Sequence, residues 1–106
     1  MRLPKTVRIN NRPWRVKEAK STSGSHFSFN NMTIKVGTKN NSQREILTGF
    51  MHEITEISCC ERGVRCLTTR DTGAGNGDYR FVGNHEQFSD VISDVSSIIG
   101  DMMKLR

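Results

Sequence analysis

The spacing of apolar residues changes once along this chain, near residue 40, and that change constrains the fold more than any other feature. Before it, apolar and polar residues alternate with a period of two, as in half-buried strands. Residues 6–18 place Val7, Ile9, Trp14 and Val16 on one face around Asn10-Asn11. Residues 26–37 repeat the pattern, with Phe27, Phe29, Met32, Ile34 and Val36 around Asn30-Asn31. Pro13 directs its strand toward a sheet edge, because it has no amide proton to donate to a neighbour. Residues 19–25 read as a loop.

After residue 40 the spacing becomes helical. Ile46, Leu47, Phe50, Ile54 and Ile57 form one stripe, and Phe88, Val91, Ile92, Val95, Ile98, Ile99 and Met102 form a second, wider one. Ser42, followed three residues later by Glu45, is a capping box that starts the first helix. Asn84 followed by Gln87 starts the second. Gly49 costs about 1 kcal/mol relative to alanine within a helix, which implies that another segment approaches closely there. Strands first and helices later predict an α+β fold in a single domain over residues 1–106. Its parts are a small, mostly antiparallel sheet from residues 6–37, a helix over 42–61 packed on it, and a closing helix over 84–104. The glycine-rich stretch 62–78 is expected to be a flexible loop, with a short extended piece at residues 78–82. Its GAGNG run lacks the preceding apolar strand and terminal lysine of a phosphate-binding loop.

Composition narrows the function classes. A chain of 106 residues with 34% hydrophobic residues builds one modest core. It has no apolar run of about 18 residues that would span a bilayer, and residues 1–5 lead into no signal-peptide core; a cytoplasmic protein is expected. Three cysteines, Cys59, Cys60 and Cys66, are an odd number without CxxC spacing, which argues against a disulfide framework or a zinc knuckle. Charge is unevenly divided: residues 1–40 hold nine Lys/Arg against one acid, a net +8, and residues 41–106 hold seven against ten, a net −3. Such a basic front half suits nucleic acid, through basic residues 2–20, or an acidic protein. The scarcity of stacking aromatics among those charges favours the other reading, an exposed strand face kept soluble by cations.

The chemistry-bearing motif is His52-Glu53-Ile54-Thr55-Glu56. Residues four apart on a helix lie one above the other, so His52 and Glu56 are placed to grip one ion. Glu53 stands one position round, where a general base for a metal-bound water belongs. This is the H-E-x-x-H logic of zinc peptidases with a carboxylate in place of the second histidine. Catalytic zinc takes three protein ligands and an open position, and the third candidate is His85, with Glu86 beside it as a fallback. Tyr79 and Arg80 are candidates to donate to a developing oxyanion. The competing reading of His52 and Glu56 is a solvated ion pair on a polar helix face; His26 fits a surface or core strand position. An iron(II) oxygenase is a further reading of two histidines and a carboxylate, disfavoured because the layout lacks a barrel.

The layout resembles a family of small phage-type zincin-like proteins related to minimal gluzincin peptidases. The resemblance rests on the opening Pro4-Lys5-Thr6-Val7-Arg8-Ile9, on the helix Leu47–Ile57 carrying the motif, and on Asn84-His85-Glu86-Gln87-Phe88 at the start of the closing helix. It spans most of the chain, and the sequence departs from the H-E-x-x-H pattern at Glu56. It implies a zinc-dependent metallopeptidase with His52, Glu56 and His85 as ligands, Glu53 as base and a peptide or protein as substrate. A non-catalytic binding protein on the same scaffold, directed at a host protein or at nucleic acid, is the alternative.

Overall fold

The computed structural model describes residues 2–67 and 79–104, the side chains of residues 65–67 and 79–80 excepted. Strands β1 (Thr6–Ile9), β2 (Arg12–Ala19), β3 (His26–Ser28) and β4 (Thr33–Gly37) precede helix α1 (Gln43–Glu61). Two short strands, β5 (Arg65–Leu67) and β6 (Tyr79–Phe81), lead to helix α2 (His85–Lys104). The fold is α+β, as the change of period predicts.

Strand order in the main sheet is β1-β2-β4-β3. The outer pairs are antiparallel hairpins, but the central pair β2–β4 runs parallel, so the sheet is mixed rather than uniformly built of hairpins. The reason is the excursion through residues 20–25 and β3. It returns the chain to the side of β2 in the same direction, with Val16 beside Ile34 and Glu18 beside Val36. The β1–β2 turn forms at Asn10 and Asn11, both with positive φ, 50° and 64°, as a tight hairpin requires.

One face of the sheet is covered. Ile9, Trp14, Ile34 and Val36 from the strands meet Phe50, Ile54 and Ile57 from α1, all fully buried, with Ile98 and Met102 of α2 completing the core. Each such side chain contributes about 1.5–3 kcal/mol on burial. Trp14 anchors an edge-to-face cluster with Phe27 and Phe29, which pins short β3 to the sheet. Its indole N–H is buried with no hydrogen-bond partner among the described residues.

The start of α1 is built as its sequence requires. The Ser42 hydroxyl accepts from the Glu45 amide at 3.2 Å, and the Glu45 carboxylate accepts from the Ser42 amide at 2.8 Å. Those bonds, the backbone one first, hold the Glu45 carboxyl below its usual pKa. Asn84 and Gln87 make the same reciprocal pair at the start of α2, both bonds at 2.9 Å. A side chain at Gly49 would lie 2.8 Å from the Ser25 hydroxyl, so the close neighbour implied there is the loop before β3.

Three expectations need correction. Pro13 belongs to β2, an interior strand between β1 and β4, and is tolerated there because it lies before the stretch Arg15–Ala19 that pairs with β4. Residues 65–67 are a strand paired with β6, not part of a loop; the rest of that stretch, residues 68–78, lies outside the described residues. In α2 the buried line is Val91, Ile98 and Met102, while Phe88 is 62% and Ile92 48% exposed. At about 100° per residue, those two lie roughly 60–100° round from Val91, off the buried line.

Candidate metal centre

The motif falls in the middle of α1, where the capping box fixes the helix phase. The stripe Phe50, Ile54, Ile57 binds one side of the helix to the sheet, which turns His52 and Glu56 away from it. The His52 side chain is 64% exposed, Glu56 20% and Glu53 only 8%. Glu53 thus occupies the boundary between the buried stripe and the exposed pair.

His52 Nε2 lies 2.5 Å from Glu56 Oε2 and 4.0 Å from Glu53 Oε2. The three residues each offer one ligating atom, all within 4.8 Å of one another, and they are the one such group of three among the described residues. One imidazole and two carboxylates suit zinc, manganese or iron(II). Zinc bonds of about 2.0–2.2 Å in a tetrahedron set donor atoms about 3.3 Å apart. The His52–Glu53 separation, 4.0 Å, has to close by under 1 Å to reach that value. The His52–Glu56 contact is a close ion-pair approach that has to open by about 1 Å to admit an ion. The donor set therefore fits a divalent metal.

The remaining sequence candidates fall elsewhere. His85 is the first residue of α2 and Glu86 the second; both are exposed, and neither belongs to the group of three. The position of α2 relative to α1 is nevertheless fixed nearby, since Gln87 Nε2 donates to the Arg62 carbonyl at 2.9 Å. The side chains of Tyr79 and Arg80 lie outside the described residues. Cys59 is buried and Cys60 half-buried. His26 is an exposed strand residue on β3.

A shallow depression of about 430 Å³ borders the pair, lined by Thr48, Met51, His52, Thr55, Glu56 and Phe81. It continues through Thr55 and Phe81 into a groove of about 290 Å³ walled by Cys59, Val64, Phe88, Val91 and Ile92. Phe88 and Ile92, members of the wide apolar stripe of α2, form one wall of that groove.

A second polar cluster lies further along α1 and was not visible in the motif. The buried Ser58 hydroxyl donates to Asp94 Oδ2 at 2.6 Å, and Arg62 donates to both Asp94 oxygens at 3.2 and 2.9 Å. The Asp94 hydrogen bond raises the pKa of Arg62 and secures its charge. Ser58 four residues after Ile54, a hydroxyl on a buried face, was the one sequence signal that a partner was needed.

Among the described residues no helix is long and apolar enough to cross a membrane. Comparison of the chain with models of known families, with curated proteins and with solved structures gives no match.

Proposed function

We propose that this protein is a small metal-dependent hydrolase, a zinc peptidase of the zincin-like type, with its ion bound at the exposed side of α1. The observation that carries the reading is the convergence of His52, Glu53 and Glu56 donor atoms within 4.8 Å on one helix turn. His52 and Glu56 are the ligands supplied by α1, and His85, at the start of α2, is the proposed third. Bound zinc supplies the acidity of a coordinated water. Glu53, held in place at the edge of the buried stripe, is the group to receive that water's proton. The depression beside His52 and Glu56 is open enough to admit an extended peptide.

The test combines metal content with turnover. Protein purified without chelator or affinity tag should hold close to one equivalent of a transition metal. Zinc should raise its melting temperature by an amount that grows with concentration. Metal binding displaces protons from its ligands, so affinity should fall as the pH is lowered. Glu53→Gln should keep the metal and lose hydrolysis of a casein-type substrate. Loss of metal from that variant would make Glu53 a ligand rather than the base. Less than a tenth of an equivalent of any metal, with no thermal shift on adding zinc, overturns the site altogether.

A further inference from the structure

The sheet has one face packed against helices, and the other, which no helix among the described residues covers, is where the basic residues go. Strand alternation turns Val7, Ile9, Trp14, Val16, Ile34 and Val36 inward. The same alternation sends Arg8, Arg15, Lys17 and Lys35 outward, all four exposed. Register then sets them close together. Lys17 stands directly beside Lys35, Lys35 beside His26, and Arg15 beside Thr6 and Thr33. Neighbouring strands are about 4.8 Å apart and alternate residues about 6.6 Å apart along a strand, so the cations form a dense, rigid array.

This arrangement costs stability, since like charges directly opposite in a sheet destabilise it. Among the described residues no acid shares the face: Glu18 is the only acid before residue 41 and alternates to the other side. The ion pairs among the described residues use Arg12, His52 and Arg62, none of which lies on this face. Asp101 of α2 shares a crevice with Arg8 at the β1 edge but forms no ion pair with it among the described residues.

We propose that the outer sheet face, through Arg8, Arg15, Lys17 and Lys35, docks on the phosphate backbone of double-stranded nucleic acid. A duplex offers one charge per about 1.7 Å of axis, which answers several closely spaced cations at once. Hydroxyls of Thr6 and Ser28 stand among those cations, and such groups contact phosphate oxygens. Among the described strand residues, Pro13 and Ala19 are the face's only apolar side chains, too little for insertion into a lipid interface. Trp14 and Phe27, the aromatic residues that single-strand binders use to stack bases, are turned into the core. The surface therefore reads charge and spacing, not sequence, and is independent of the metal site on the opposite side of the sheet.

Fluorescence anisotropy with a 20-base-pair duplex of mixed sequence, titrated between 50 and 200 mM salt, tests this. Four phosphate contacts predict a slope of log K against log salt of about −3.6. Arg15→Ala with Lys17→Ala should weaken binding and reduce the slope by about 2. Adding Arg8→Ala and Lys35→Ala should abolish binding at 200 mM salt. Arg44→Ala, the same charge change on α1, should leave binding unaltered. All four positions are exposed, so the quadruple variant should melt at or above the wild-type temperature, which shows that it is folded. Wild-type affinity in that folded quadruple variant overturns the proposal. So does no duplex binding at 50 mM salt, or tighter binding to polyglutamate or phosphatidylserine vesicles at equal salt.

Discussion

Two polar clusters lie within three turns of each other on α1, and they differ in what they join. Ser58, Arg62 and Asp94 connect two helices across 32–36 residues of sequence, with three hydrogen bonds onto one carboxylate. His52 and Glu56 are neighbours on one turn of one helix, and their contact would exist in α1 alone. The first cluster is an anchor: it fixes the angle at which α2 closes the core beside Ile98 and Met102. The second adds little to the fold, because an i, i+4 pair on a helix is worth about 0.2–0.5 kcal/mol. Yet it brings a second carboxylate, Glu53, to the edge of the core at 8% exposure. Polar groups that hold a fold together and polar groups that are merely carried by it are thus separable on one helix. The carried set is the one with donor geometry for an ion.

Removing the anchor should have the largest effect. Asp94→Ala leaves the buried Ser58 hydroxyl without its acceptor and Arg62 without its counter-charge. Losing charge-assisted hydrogen bonds and stranding a buried donor should cost about 2–4 kcal/mol. Urea unfolding followed by circular dichroism measures it. A loss below about 0.5 kcal/mol, the range of an ordinary surface change, would show that the two clusters do not differ in the way described.

The carried pair should behave oppositely. In metal-free protein Glu56→Ala should change stability by no more than about 0.5 kcal/mol. In the presence of zinc the wild type should gain stability that the variant does not, about 2.7 kcal/mol at a ligand concentration a hundredfold above Kd. Melting curves of both proteins with and without zinc give the two numbers together. A cost in metal-free protein as large as that of Asp94→Ala would make Glu56 a structural residue.

The contrast also explains what the sequence disclosed. Everything local was legible: the period change separates strands from helices, and Ser42-Glu45 and Asn84-Gln87 mark the helix starts. His52, Glu53 and Glu56 could be grouped because a helix turn alone brings them together. What required two distant segments was not legible. The parallel β2–β4 pair depends on where the excursion through β3 returns the chain. β5 depends on a partner, Tyr79–Phe81, twelve or more residues away. Asp94 looks like any solvated acid on α2 until α1 supplies Ser58 and Arg62. The exposure of Phe88 and Ile92 follows from which neighbours α2 has, and a hydrophobic stripe cannot specify that. The third ligand is the same kind of problem, since His85 sits on another helix.

A third carboxylate on α1 sharpens the comparison at its weakest end. Glu45 is fully exposed, and its bonds are to Ser42, within its own helix turn. It is therefore a local group like Glu56, but one whose partner is backbone. Its folded-state pKa is lowered from 4.5 by the Ser42 backbone bond and then the Ser42 hydroxyl. A depressed carboxylate pKa contributes stability that is fully present above the unfolded value and disappears as pH falls through the folded value. Glu45→Gln should therefore be less stable than wild type at pH 7, and the difference should shrink below about pH 4.5, the unfolded-state range of a glutamate. Melting temperatures of both proteins at pH 7 and pH 3 test this. A difference that stays constant between those pH values would show that the cap acts through its hydrogen-bond geometry alone, independent of the carboxylate's charge. A difference that closes would establish that a purely local carboxylate on this helix leaves a pH signature. The metal-free His52–Glu56 pair can then be measured against it.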